Sequence, residues 1–344
     1  MSPPTSQKKN DHSISDLQSN GPDESGYRYL CSAKPVKMET KKNAYIAIFM
    51  ASLLWGTSYP TIKFGLSQMH LPPISFLLMR FLIAFAALCP ALFIERFRNE
   101  VRMGLQEMDI MLLGLFAGLC YILQFIGQVN TTAGIATIFI NTYVLFTPLF
   151  GTAILGKEVT RKQIIAAASG FFGVVVITLG DLLWSNASGV TLSGILFVFG
   201  SGLFTGFYIT YSEKVHRLRY EGKNLHPVTI FFTSTFYSIA VMGFTGILIG
   251  DLPRFSSLNL PTLVAVSYLA LFCTDGAFVL YLIAVRDLGS VNSAVFMLFQ
   301  IIVSMCISFI ALKEIPDFYM YTGMGIISFA MVLIGFKRRK VVQS

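Results

Sequence analysis

The sequence predicts an all-α polytopic membrane protein, with ten transmembrane helices arranged as two inverted five-helix repeats. Three observations carry this expectation. Hydrophobic residues make up 54% of the 344 and charged residues only 13%, whereas a soluble domain carries about a quarter charged residues. Much of the surface must therefore face lipid. Apolar segments follow one another along the chain, each near the roughly 20 residues that a spanning helix needs. The second half of the chain also resembles the first.

Taken in order, residues 1–42 are polar, rich in Ser, Asn, Asp and Lys, and have no apolar core. They read as a disordered cytoplasmic tail. The first apolar run is of full spanning length, which argues against a cleaved signal peptide. Spans are expected at about 44–66, 73–94, 109–129, 133–155, 163–182, 190–212, 228–250, 261–285, 291–311 and 318–336. The short connections make consecutive helices antiparallel neighbours and leave no room for a soluble domain between them.

The charges between spans set the orientation. Arg96, Arg98 and Arg102, then Lys157, Arg161 and Lys162, then Lys214, Arg217, Arg219 and Lys223 fall in loops on one side, with Arg286 and the Lys337 to Lys340 end. The opposite loops hold Arg254 and Lys313. This asymmetry places both termini in the cytoplasm of a multi-pass protein of a cell membrane, inner or plasma. The net charge of +8 follows that topological layout, so it points to no nucleic-acid partner. Cys89, Cys120, Cys273 and Cys306 lie inside apolar spans without CxxC spacing, and the four histidines lie in the tail or at helix ends. Neither pattern suggests a metal, a cofactor or an enzyme.

The repeat is visible from Gly151, where GTAILGKEVTRKQIIAAASGFFGVVVITLG aligns with ISFIALKEIPDFYMYTGMGIISFAMVLIG from Ile307. Lys157-Glu158 falls on Lys313-Glu314, LWGTSY at Leu54 on LFTGFY at Leu203, and PPISFLLMR at Pro72 on HPVTIFFTS at His226. Five helices per repeat is an odd number, so the second copy enters from the opposite side. Inverted repeats with a site between them near the midplane are a transporter architecture. The repeats are expected at 43–182 and 190–336, followed by a basic cytoplasmic C-terminus at 337–344.

Through LLWGTSYPTIKFGL, PPISFLLMRFLIAFAAL, TPLFGTAILGKEVTRKQIIAAASGFFGVVVI and the weaker second copy ending in LKE, the chain resembles the EamA-like branch of the drug/metabolite transporter superfamily. The resemblance implies gradient-coupled movement or exchange of small organic solutes such as amino acids, nucleotide derivatives or drugs. It also implies peripheral fifth and tenth helices around a cavity lined by the others. Asp275 departs from that family pattern, as does Ser304 where the first copy has Pro148.

Charges inside spans are Lys63, Arg80 and Asp275, each of which needs a partner or water. At 1.5 Å per residue, Arg80 lies about 10 Å and Asp275 about 20 Å from their outer helix ends. Asp275 reads either as a proton-coupling carboxylate or substrate-ammonium acceptor, or as a partner of Arg80, Thr274 or Tyr268. Arg80 reads either as a fork for a substrate carboxylate or phosphate, or as a fastener of a neighbouring helix's carbonyls. Lys63 reads as an electropositive rim or as a snorkelling side chain.

Uncharged polar residues recur at helical spacing. Gly56, Tyr59, Pro60 and Lys63 share one face, and Ser201, Thr205, Tyr208 and Ser212 share another. Tyr121, Gln124 and Gln128, then Thr137 and Asn141, then Ser293, Gln300 and Ser304 form further stripes. Each is pathway lining or interhelical glue; the amides of Gln124, Gln128, Asn141 and Gln300 are the hardest to satisfy in hydrocarbon. Pro60 and Pro148 remove helix hydrogen bonds and are expected hinges. The resulting expectation is a secondary transporter working by alternating access on a small solute, with a proton or counter-solute. A non-transporting membrane receptor or structural protein is the alternative, and the oligomeric state is left open.

Overall fold

The computed structural model describes residues 38–68, 72–131, 133–184, 191–217, 225–253, 259–312 and 318–335, and among these residues it is helical without strands. Backbone amides that meet no water close their hydrogen bonds within the segment, which makes helix the default for apolar runs. In chain order the helices are α1 (Met38–Gln68), α2 (Pro73–Leu88), α3 (Glu95–Gly104), α4 (Met108–Val129), α5 (Ala133–Ile140), α6 (Tyr143–Leu155) and α7 (Arg161–Trp184). There follow α8 (Leu192–Arg217), α9 (Pro227–Ile249), α10 (Leu260–Leu288), α11 (Ser290–Met297), α12 (Phe299–Leu312) and α13 (Phe318–Gly335).

Eight helical runs among the described residues are long and apolar enough to cross a membrane: Pro73–Phe93, Met108–Val129, Ala136–Leu155, Arg161–Leu179, Leu192–Arg217, Pro227–Ile249, Leu260–Leu288 and Ser290–Ile307. Phe318–Ile334 is apolar but shorter. Of the ten spans read from the sequence, eight thus appear as helices of spanning length and composition among the described residues; the other two fall on this shorter helix and on α1, which is 31 residues long.

Hydrogen bonds between helix ends show which ends lie together. Asp251, after α9, accepts from the Ile74 and Ser75 amides and the Ser75 hydroxyl at the start of α2. Asn130, after α4, accepts from the amide and hydroxyl of Thr191 before α8. At the other end Asp109 of α4 meets Lys214 of α8 at 3.0 Å, and Lys157, between α6 and α7, meets Glu213 of α8. The ends alternate as an antiparallel bundle requires.

The sequence reading treats residues between 94 and 109 as loop, yet residues 95–104 form the amphipathic α3. Its Val101 and Gly104 are buried while Arg96, Arg98 and Arg102 are exposed. Phe97 meets Phe232 of α9 edge-on at 5.6 Å. Glu100 accepts from the His226 amide at 3.2 Å and the Thr229 hydroxyl at 2.8 Å. Burial raises the Glu100 pKa, but these donors and Arg96 outweigh it and hold the carboxyl below its ordinary range.

Small residues let helices approach closely. A Cβ on Gly114 would lie 2.3 Å from the Ser234 carbonyl oxygen, and Ser238 donates to the Gly114 carbonyl at 2.8 Å, which seats α4 on α9. Gly173 and Gly323 face each other in the same way between α7 and α13. These two helices pair with one another and contribute no residue to the central cavity.

Two irregularities shape the centre. The helical runs Ala136–Leu155 and Ser290–Ile307 each continue through a local interruption of the α-helical hydrogen bonding, at Asn141–Thr142 between α5 and α6 and at Leu298 between α11 and α12, where the backbone stays right-handed helical and the bonds tighten towards three residues back. The alignment that sets Lys157 on Lys313 also sets Asn141 and Thr142 on Met297 and Leu298. The interruptions therefore occupy corresponding positions of the two repeats. Within α10, residues Leu269–Gly276 are π-helical. Pro148 sits inside α6, past the first interruption.

Candidate functional site: the central cavity

A cavity with about 740 Å³ of space free of protein atoms, its mouth included, lies between the repeats. From the first half it is lined by Trp55, Ser58 and Ile62 of α1, Arg80 of α2, Ala117, Cys120, Tyr121 and Gln124 of α4, Ile140 of α5 and Tyr143 of α6. From the second half come Thr205, Tyr208 and Ile209 of α8, Phe278 and Tyr281 of α10, Met297 of α11 and Gln300 of α12. Ile140 and Tyr143 flank one helix interruption, and Met297 and Gln300 flank the other. Both interruptions thus border the same space.

Arg80, Gln124, Tyr208 and Gln300 are brought together in this wall. Gln128, Asn141 and Asp275 are not among the lining residues. Asn141 is 1% exposed and donates from Nδ2 to the Thr137 carbonyl at 2.8 Å, while its Oδ1 is buried without a hydrogen bond among the described residues. Pro148 is buried in α6. The side chains of Tyr59, Pro60 and Lys63 lie outside the described residues.

Arg80 is the most constrained of these groups. It is 2% exposed, and its Nε donates to the Thr274 hydroxyl at 2.6 Å while Nη2 donates to the Cys273 carbonyl at 3.2 Å. Both partners are neutral and both sit in the π-helical stretch of α10. Among the described residues no carboxylate forms an ion pair with Arg80. An ionised side chain inside a span costs at least about 2.5–3.5 kcal/mol on insertion scales, and these two hydrogen bonds offset part of that without neutralising the charge. Counting residues from the helix ends had put Arg80 and Asp275 at different depths; the bonds to Cys273 and Thr274 bring Arg80 level with the residue preceding Asp275. Asp275 makes no bond to Arg80, Thr274 or Tyr268, and its Oδ1 is buried without a partner among the described residues. Tyr268 instead meets the Thr57 hydroxyl at 2.6 Å.

Trp55 was missed by the polar-face reading. The face of α1 that meets the cavity is Trp55, Ser58 and Ile62, while Gly56 turns towards Val303 of α12. Trp55 donates from Nε1 to the same Cys273 carbonyl at 2.9 Å and packs edge-on against Phe278 at 5.2 Å. Tyr208 stacks on Tyr281 at 6.2 Å. The available signal was a tryptophan among hydroxyl residues at the i, i+3, i+7 spacing of one helix face.

One end of the bundle is tied shut near the cavity. Glu213 of α8, 4% exposed, accepts from Lys157, from Arg217 at 2.9 Å, and from the Ser290 amide and hydroxyl at 2.9 and 2.7 Å at the start of α11. Burial drives the Lys157 pKa down, and the Glu213 charge only partly restores it. Gly289 holds φ at +86° beside the carboxylate, where a Cβ would lie 3.3 Å from its oxygen. Trp55, Ser58 and Ile62 belong to the C-terminal half of α1 and Arg80 to the N-terminal half of α2, whereas Thr205, Tyr208 and Ile209 of α8 and Phe278 and Tyr281 of α10 belong to the C-terminal halves, on the Glu213 side.

Residues 42–179 and 192–336 each match the EamA-like transporter family. A protein of Archaeoglobus fulgidus named "Uncharacterized transporter" is 27% identical over 298 residues, 86% of this chain and 98% of its own. The "Uncharacterized inner membrane transporter YedA" of Escherichia coli K12 is 24% identical over 84% of this chain and 89% of its own. A Salmonella typhimurium protein named "Probable amino-acid metabolite efflux pump" is 27% identical over 158 residues, 46% of this chain and 48% of its own. A solved crystal structure shares the fold with a TM-score of 0.67 at 16% identity, covering 85% of this chain and 96% of that one. Two repeats, a cavity between them and family matches over both halves lead to one conclusion: this multi-pass membrane protein belongs to the EamA-like transporter family, and the family and the names of its relatives indicate a transporter rather than an enzyme.

Proposed function

We propose that the protein is a secondary transporter that carries a small organic metabolite through the central cavity by alternating access, coupled to a proton or to a counter-solute. The observation that carries the reading is one cavity whose wall is built from residues of both family-matched halves. A cavity at the interface of two inverted repeats is the usual place of a midplane solute site. In this reading α1, α2, α4, α5 with α6, and α7 are the five spans of the first repeat (43–182). The second repeat (190–336) spans with α8, α9, α10, α11 with α12, and α13. Residues 1–42 and 337–344 are cytoplasmic, and the membrane is the cell's inner or plasma membrane.

The basic loops make the Glu213 end cytoplasmic. The lock around Glu213 then closes the inner side, and the cavity communicates with the outside. Rocking of one repeat on the other breaks Glu213 from Lys157 and exposes the cavity inward. Tyr208, Gln124 and Gln300 orient the solute, Asp275 carries the coupling proton, and Pro60 and Pro148 supply bend points, with Tyr59, Lys63, Gln128 and Asn141 along the route. The name of the Salmonella relative makes amino-acid metabolites the first solutes to try.

Purified protein in liposomes, presented with a metabolite extract with and without a proton gradient, tests the reading. Protein-dependent movement of at least one small solute is expected; no movement of any solute in either condition would falsify it.

A further inference from the structure

We propose that Arg80 makes the central cavity an anion receptor, so that the carried solute bears a carboxylate or phosphate on an apolar body. The proposal deepens the transport reading above and rests on it. The guanidinium is 2% exposed yet lines the cavity. Its Nε and Nη2 are aimed at Thr274 Oγ1 and the Cys273 carbonyl, so the fork is held still by a neighbouring helix. Those partners are dipoles and leave the positive charge in place. Among the described residues no carboxylate ion-pairs with it. Asp275 is one residue past Thr274 but neither bonds Arg80 nor lines the cavity. An oriented, desolvated guanidinium with spare donors is suited to planar recognition of carboxylate or phosphate.

The rest of the wall selects the other end of the solute. Trp55, Tyr121, Phe278 and Tyr281 supply aromatic surface, and Gln124 and Gln300 are uncharged. None of the lining residues is acidic. The cavity thus offers one cationic pole in an aromatic enclosure, which favours an anion over a neutral or cationic solute of the same shape.

The test uses Trp55 as its reporter. The chain has two tryptophans, so Trp184→Phe leaves only the one in the cavity wall. In nanodiscs of phosphatidylcholine, Trp55 emission is titrated with phenylacetate, phenyl phosphate, phenylacetamide and phenethylamine. At least one anion is expected to give a saturable change at least about tenfold tighter than the amide, weakened by salt. Arg80→Lys, which keeps the charge and guards against misfolding, is expected to bind that anion more weakly, and Arg80→Gln to lose it. Equal affinity for amide and anion, tighter binding of the amine, or no saturable response to either anion overturns the proposal.

Discs containing phosphatidylglycerol separate the two sources of an anion. Loss of the free-anion response in these discs alone supports the subsite with a lipid phosphodiester as its occupant; retention of the response supports a free solute. Liposome flux keeps the two readings apart. Flux of neutral or cationic solutes without anion binding removes this proposal and leaves transport standing, while anion binding without flux does the reverse.

Discussion

The Cys273 carbonyl accepts from both Trp55 and Arg80, which ties α1 and α2 of the first repeat to the π-helical stretch of α10 in the second. Asp275 sits in that stretch with a buried oxygen that has no partner among the described residues, a costly arrangement to keep without a role. Asp275→Asn retains the shape and removes the charge. It is expected to abolish or uncouple pH-driven flux while the protein still elutes as a folded species by size-exclusion chromatography; normal coupled flux would make the carboxylate structural. Gly56 has a packing role instead. A Cβ there would lie 2.6 Å from Val303 and 2.9 Å from the Gln300 carbonyl oxygen, so Gly56→Ala is expected to cost about 1–3 kcal/mol. A lowered melting temperature in detergent checks it, and an unchanged one would show that α12 can move aside.

At the scale of elements, α8 brings Glu213 to the loop after α6 and to the first residue of α11. Of the partners that hold this carboxylate, Lys157 comes from the first repeat, so its ion pair with Glu213 is a latch between the repeats. Glu213→Gln leaves Lys157 and Arg217 facing each other without their counter-charge. The latched end is expected to open, read as a longer and broader distance distribution between spin labels at the exposed positions Arg161 and Arg286. An unchanged distribution would mean that apolar packing alone closes that end. Little of this element chemistry could be read from sequence. Glu213 lies near a helix end, where a charge needs no explanation, and the residues between 94 and 109 looked like loop because α3 buries only a narrow side. The interruptions at Asn141–Thr142 and Leu298 and the π-helical stretch are choices of backbone hydrogen bonding. They depend on side chains far away in sequence, so a hydropathy pattern averages over them.

At the scale of the molecule, the sequence is more informative, because hydrocarbon penalises every polar side chain that lacks a reason to be there. That penalty is why Arg80, Gln124, Tyr208 and Gln300 stand out in apolar runs and why they meet in one wall. It is silent on Trp55, whose indole is at home in either lipid or protein, and on how depth along α10 matches depth along α2. The repeat alignment sets the two locally irregular helices in correspondence, and the cavity they border is the feature on which the proposed transport depends. The most direct test fills it. Thr205 lines the cavity and is only partly buried, so Thr205→Trp occupies the space from the second repeat. Metabolite flux into liposomes is to be measured for wild type and this variant, each shown to be folded by its melting temperature. Flux in the wild type and none in Thr205→Trp is the result expected; flux at the wild-type rate through the filled cavity would contradict it.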